Sequence, residues 1–599
     1  MPIEQESGID SKSLPLRRRE RSLQTALRSA FKSSVSVENG LIALFFGLGF
    51  LGILNHEIWR DEAQAWLISR DSSSLVDLYA NTHYEGHPIL WHTCLFLIAQ
   101  WTHNPFAMQL FHLFVATGSA ALIIKKSPFS ILQKGLLSFS YLLFYEYSII
   151  SRNYAIGIFF IFLFCVLYAR RKPAYWLLAL TLALAANANA FSFLISFSLA
   201  LVMLLRLKIE LKPSQAKTFR QRLMPSLAIL TVGWGLSLMQ LGRLRSLPDK
   251  DISLDIDVGT LDVGSALVEG AVSNFATLPL DQAIALFNRL TELCAPFARA
   301  YFPLLRVRLH FWTSHLLSDP EGLGTVGGVE IGALVAVIAA IAIVFYVIKA
   351  LWKTPLYLCL YVSASLSLYS FFILFYRGGT RHNGHLMIVL IVSLWLATWS
   401  QNRRFQDRPA QNKSAQNGQQ AGKRSRWSKA LPKLRRPKLR RPKLRRPAVG
   451  GTLLTILLIF QGVAGVQAYA MDMVYPFSAS RAIAQYIQTH ELEDLPLFAQ
   501  NGRLMTGLIS YLETDAYYGQ IGIYGSFATR LYSQEKETKE IIAAEVNAFA
   551  QEESEFLIVS TNPIDFSAMG SKVVLLTKLE KIIVKSERLY LYKFDASPL

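Results

Sequence analysis

An adjacent Asp61–Glu62 pair sits in the run NHEIWRDEAQAWLISRD, and His83, Glu85 and His87 follow it in HYEGHPILW. A carboxylate of this kind can act as a general base, and an acid set between histidines can bind a cation. In an extended segment, side chains at i, i+2 and i+4 point to one side. His83, Glu85 and His87 are therefore expected to converge on one group, and they are the candidate ligands of a divalent metal ion. Three more stretches carry comparable groups. YEYSIISRNYAIG holds Glu146, Arg152 and Tyr154, ANANAF holds Asn187 and Asn189, and YRGGTRHNGH holds Arg377, Arg381, His382 and His385. Guanidinium groups match phosphate in a bidentate way, so Arg152, Arg377 and Arg381 predict an anionic, phosphate-bearing ligand. Tyr154, Asn187, Asn189 and His385 are the candidates for its other polar contacts. Each cluster also has a structural reading. An acidic pair favours a helix N-terminus, HxExH suits a hydrogen-bonded turn, and Glu146 with Arg152 suits an ion pair at a helix end.

The elements that carry these residues follow from composition. Of 599 residues 52% are apolar, yet the formal net charge is +19. Residues 402–447 hold 17 Lys/Arg against one Asp, and residues 1–36 hold seven Lys/Arg against four Asp/Glu. The two segments carry +16 and +3, so the rest of the chain is neutral. Basic residues confined to a tail and one loop are not the folded basic face of a nucleic-acid binder. They fit a polytopic membrane protein, mainly α, with basic cytoplasmic segments. Cys94, Cys165, Cys294 and Cys359 show no CxxC spacing, so a disulfide scaffold is not expected to organise the fold.

Apolar runs of spanning character lie at 37–54, 106–124, 133–150, 154–170, 174–187, 190–206, 224–242, 329–351, 355–375, 384–400 and 450–470. That predicts eleven transmembrane helices. The run 88–101 is too short and carries a histidine, so it is expected to be re-entrant or interfacial. With the N-terminus cytoplasmic, Lys125/Lys126, Arg170/Arg171/Lys172, residues 206–222, Lys349/Lys353 and the 402–447 loop all face inward, as the positive-inside rule requires. The four candidate clusters then share the extracytoplasmic side. The predicted organisation is a basic, disordered tail at 1–36 and a membrane domain at 37–470. That domain has a first outer loop at 55–105, a large outer loop at 243–328 and the inner loop at 402–447. Three successive PKLRR units in the inner loop place prolines too regularly for a packed core. Residues 471–599 alternate helical and strand-like runs (SASRAIAQYIQ, LPLFAQ, EFLIVS, RLYLYKF) and read as a small extracytoplasmic α/β domain.

In WRDEAQAWL, HYEGHPILW, SRNYAIG and RHNGHL, in that order and on one side, the chain resembles the GT-C superfamily of membrane glycosyltransferases. These include the protein O-mannosyltransferase and lipid A aminoarabinose transferase families. The resemblance covers about residues 37–400. It implies transfer of a sugar, with inversion, from a polyprenyl-phosphate donor to a glycan, lipid or protein acceptor on the outer face of the plasma (inner) membrane. Asp61 matches the family's catalytic acid, with Glu62 its neighbour. Glu85 matches a second acidic position, and Arg152, Arg377, Arg381 and His382 fall to the donor phosphate. Relatives often carry Lys-Pro after the second acid, where this chain has Gly86-His87-Pro88. Members differ in whether they use a divalent metal. The competing readings are a transporter or flippase of lipid-linked sugars, and a sensor or scaffold whose working part is the α/β domain.

Overall fold

The computed structural model describes residues 36–242, 293–420 and 451–596, together with 284, 288 and 291. Short breaks fall at 84, 211–213, 215, 313, 319–322, 327–328, 500–501, 520–521, 528–538 and 567–571. Residues 1–35 of the basic tail, most of 243–292 and the PKLRR repeats lie outside the described residues.

All eleven apolar runs form helix, as they must where no water can satisfy the backbone. In chain order the helices are α1 (Ser36–Asn55), α2 (Arg60–Asp71), α3 (Leu75–Asn81), α4 (Leu90–Ala99), α5 (Phe106–Lys126) and α6 (Ile131–Ser138). A π-helix spans Tyr141–Ile149. Then come α7 (Tyr154–Tyr168), α8 (Tyr175–Ala186), α9 (Ala190–Glu210) and α10 (Ala216–Gly242). After α11 (Ala295–Tyr301) and the hairpin of β1 (Thr325–Val326) and β2 (Val329–Glu330) follow α12 (Ile331–Leu351) and α13 (Pro355–Leu374). The membrane-type helices end with α14 (Thr380–Asn383), α15 (His385–Gln420) and α16 (Gly451–Val474).

Among the described residues, eight segments are long and apolar enough to cross a bilayer: α1, α5, α9, α10, α12, α13, Thr380–Arg403 and α16. The chain is thus a multi-pass membrane protein. Eight is fewer than the eleven expected, for two reasons. Helices α7 and α8 are short, and the 133–150 run breaks at Phe139–Ser140 into α6 and the π-helix. Ten residues of α4 rise only about 15 Å, half a hydrocarbon core. Helix α15 also runs on to Gln420, through the first part of the expected inner loop.

The C-terminal part is a mixed sheet with helices. It adds α17 (Ser480–Thr489), β3 (Leu497–Ala499), α18 (Gly502–Leu512), β4 (Ala516–Tyr518), β5 (Ile523–Gly525), α19 (Lys539–Phe549), β6 (Glu555–Ser560), β7 (Val573–Leu579) and β8 (Leu589–Asp595). The strand order is β5-β4-β3-β6-β8-β7, with β3 parallel to β4 and β6 and the other pairs antiparallel. Period-two alternation sorts the side chains between two layers. Leu497, Ala499, Leu557 and Val559 pack with α17 and α18, whereas Phe498, Phe556 and Ile558 pack with Ile542, Val546 and Phe549 of α19.

Helix α2 joins these two parts. Eight consecutive residues, Glu62–Ser69, are buried. Trp66 and Ala63 pack with Trp91, Leu95, Ala99 and Met108, while Leu67 belongs to the core of the sheet domain. Arg481 of α17 donates to the carbonyls of Leu54, Asn55 and His56 at 3.2, 3.3 and 2.8 Å. It thereby caps the C-terminal end of α1 with a cation, where the helix dipole favours one.

Candidate functional site

The acidic pair opens α2, as its composition suggests, but the two carboxylates face different surroundings. Glu62 is fully buried and engaged on both oxygens. It accepts from the Trp59 amide at 3.3 Å, from the Ser151 amide, and from His56 Nε2 at 3.2 Å. The other ring nitrogen of His56, Nδ1, meets Asp472 Oδ2 at 2.8 Å near the end of α16. Burial works against a charge on His56, but Asp472 and then Glu62 outweigh it and lift its pKa to about 10. An imidazolium thus bridges two carboxylates in a sealed unit.

Asp61 turns the other way. Its Oδ2 lies 3.2 Å from Arg152 Nη1 and 3.4 Å from Arg381 Nη2, and its Oδ1 lies 3.8 Å from Arg60 Nε. Arg152 also donates to the Asp61 carbonyl at 2.7 Å. The Arg381 guanidinium lies against Trp59 and Trp312, which meet edge to face, 5.0 and 4.9 Å from their ring centroids. Its backbone carbonyl accepts from Tyr147 Oη at 2.5 Å. Gly384 permits that approach, since a Cβ there would stand 2.6 Å from the same hydroxyl. Arg60 is shared with the sheet domain through Glu587 Oε1 at 3.7 Å. Burial raises the Glu587 pKa to about 7, against the pull of Arg60.

Beside Arg381 is a cavity of about 180 Å³ lined by Glu146, Arg299, Trp312, His315, Gly379, Thr380 and Arg381. Three of these, Arg299, Trp312 and His315, come from the segment after α10 and were not singled out in the sequence. A clue was present in APFARAYFPLLRVRLHFWTSH, where cationic and aromatic residues interleave densely. Glu146 does not pair with Arg152, as its structural reading supposed. It accepts from Tyr141 Oη and from Trp312 Nε1 at 3.0 Å.

The remaining candidates divide. Glu85 accepts from Gln64 Nε2 at 3.2 Å and lies in the field of Arg152. His87 faces Arg152, His92, Asp61 and Arg381; burial, then Arg152, holds its pKa at about 3, so it is neutral. The expected His83–Glu85–His87 metal set does not assemble. Among the described residues no group of three His, Cys, Asp or Glu is placed to hold a metal ion. The reason is local. His83 and Glu85 amides close turns onto Ala80 and Thr82, and Gly86 takes φ +68°, so the extended alternation never forms.

His382 and His385 stack in an aromatic nest with Tyr154 and Phe191, with ring centroids 4.9–5.7 Å apart, and His382 Nε2 lies 3.4 Å from Arg381 Nε. They buttress the arginine. Tyr154 lies under Arg152, 5.9 Å from its guanidinium carbon. Arg377 is exposed and stays outside the cluster, its carbonyl accepting from Asn383 at 3.4 Å. The two asparagines are structural. Asn187 ties α8 to the Gly233 carbonyl of α10 at 2.8 Å, and Asn189 Oδ1 caps the Ser192 amide at the start of α9.

No known family model matches the chain, and no curated protein matches it. The functional reading therefore stands on these residues.

Proposed function

We propose that the chain is an integral-membrane glycosyltransferase of the GT-C type. In this reading it transfers a sugar, with inversion, from a polyprenyl-phosphate donor to a glycan, lipid or protein acceptor. The site faces the extracytoplasmic side of the plasma membrane, with the N-terminus cytoplasmic and all eleven apolar runs crossing. The observation that carries this is the position of Asp61 between Arg152 and Arg381, the second of which walls a cavity. Of the three guanidinium groups around Asp61, Arg60 is shared with Glu587, and Arg152 and Arg381 are the pair whose geometry suits an anion. When the donor phosphate takes Arg152 and Arg381, Asp61 is released to act on the acceptor. The acceptor hydroxyl then attacks the anomeric carbon, its proton passes to Asp61, and the bond to the phosphate oxygen breaks with its electron pair leaving on the phosphate. Arginines preorganised around that oxygen stabilise the charge as it develops. The ionisable groups stand at helix ends, which favours a surface enzyme over a carrier with a midplane site.

The test is mass spectrometry of envelope glycans, lipids and proteins from cells lacking the chain, complemented with wild type or with Asp61→Asn. The expected result is one sugar residue missing in the deletion and in Asp61→Asn, and restored by wild type. Full restoration by Asp61→Asn would remove Asp61 as the base. A deletion that leaves every sugar in place but piles up lipid-linked sugar on the inner leaflet would favour a flippase.

A further inference from the structure

Glu146 is a carboxylate at 2% exposure with an uneven set of partners. One oxygen, Oε1, receives both Tyr141 Oη and Trp312 Nε1, whereas Oε2 is buried and has no hydrogen-bond partner among the described residues. A buried carboxylate oxygen left bare costs free energy unless something completes it. Glu146 lines the cavity of about 180 Å³, far more than the roughly 10–15 Å³ that one water requires. The same cavity is walled by Arg381, the residue that also holds Asp61, and by Arg299.

We propose that this cavity holds the sugar ring of the donor, and that Glu146 Oε2 accepts a hydrogen bond from one of its hydroxyls. The inference rests on the transferase reading and names the residue that recognises the sugar. A phosphate seated on Arg381 places whatever is attached to it against Glu146. The completing donor is a neutral hydroxyl rather than an amine, because Arg299 and Arg381 on the same wall oppose a cation. Trp312 adds an aromatic wall for the ring's apolar face.

The side-chain chemistry makes Glu146→Gln a sharp substitution. Trp Nε1 can only donate, so the Gln carbonyl must occupy the Oε1 position and its NH2 group takes the Oε2 position. An acceptor becomes a donor with almost no change in shape. The experiment uses the full chain in lipid nanodiscs, titrated by native mass spectrometry with undecaprenyl phosphate and with its glucosyl, galactosyl, mannosyl and arabinosyl phosphodiesters. Wild type is expected to bind one of the sugar lipids roughly tenfold or more tighter than the bare phosphate, as suits a hydrogen bond to a charged group. Glu146→Gln should lose that gain while keeping its affinity for undecaprenyl phosphate, which also reports an intact fold. Glu146→Asp retains the charge but withdraws it by one methylene, and should lose the gain too; its titration decides the question if the Gln variant does not insert. A gain that survives both substitutions, or no gain for any sugar, overturns the role of Glu146 and leaves the transferase reading standing. Failure to bind either kind of lipid overturns both.

Discussion

Two polar clusters lie side by side at the end of the bundle that carries the sheet domain, and they are built on opposite principles. In the first, His56 is locked between Glu62 and Asp472, with both ring nitrogens matched to carboxylates and the surroundings buried. In the second, Asp61 is outnumbered by Arg60, Arg152 and Arg381, and a cavity adjoins it. Neighbouring residues of one helix turn, Asp61 and Glu62, therefore do different work. The closed cluster fixes where α1, α2 and α16 meet, and the open one is left with charge to spend on a ligand. Burial and the number of cationic partners, more than residue type, separate the two acids.

The largest effect should come from opening the closed cluster. Asp472→Ala leaves the Nδ1–H of a buried, charged His56 without its acceptor, and a stranded donor of this kind costs about 3 kcal/mol. Thermal unfolding in detergent should show it, with activity lost only alongside the fold. In the open cluster the ranking reverses. Arg381→Ala should cut transfer about 10²- to 10³-fold, the scale of one removed transition-state donor, while melting changes little. Arg377→Ala, at an exposed position, should leave transfer unchanged, and equal losses at the two arginines would erase the contrast.

The two clusters should also answer pH in different windows. His56 is raised from 6.5 to about 10, so its contribution is complete below about 6.5 and is lost as pH climbs through 10. Glu587 is raised from 4.5 to about 7, so the fold prefers its protonated form and stability declines as pH rises from about 4.5 to 7. Glu587→Gln should flatten melting temperature across that acid window and leave the alkaline loss in place. The smallest effect belongs to Asn187→Ala. It removes the tie to Gly233 at a cost of about 1 kcal/mol, with transfer unaffected, in contrast to a residue that touches substrate.

Much of the architecture was legible because its signals are local. A run of apolar residues has to be helical in lipid, and the short runs of β-branched and aromatic residues in EFLIVS and RLYLYKF mark β6 and β8. Grouping Asp61, Arg152 and Arg381 on one side was also within reach, since topology alone places span ends together. What escaped depends on distant partners. His56 and Asp472 are separated by 416 residues, and nothing in either neighbourhood names the other. Trp312 and Arg299 reach the cavity from a segment whose interleaved cationic and aromatic residues stand out but name no partner. The metal set failed at Gly86, where a single positive φ turned an assumed strand into a turn. Asn187 and Asn189 looked available because an amide that caps a backbone and one that binds a ligand have the same composition.

The π-helix at Tyr141–Ile149 is closed by bonds that reach five residues back, such as Ile150 N to Tyr145 O at 3.4 Å. It is therefore an α-helix carrying surplus chain, and that surplus sets the angular phase between its two ends. Excising one residue from Leu142–Tyr145 would let the segment rewind to ordinary pitch. Each residue of an α-helix turns the path by about 100°, so everything on the far side would be re-aimed relative to Tyr141. Tyr141 and Glu146 would lose their shared face, and Tyr147 would swing away from the Arg381 carbonyl. A one-residue deletion in an apolar stretch, invisible to hydropathy, would thus dismantle the cavity wall while leaving the number of helices untouched.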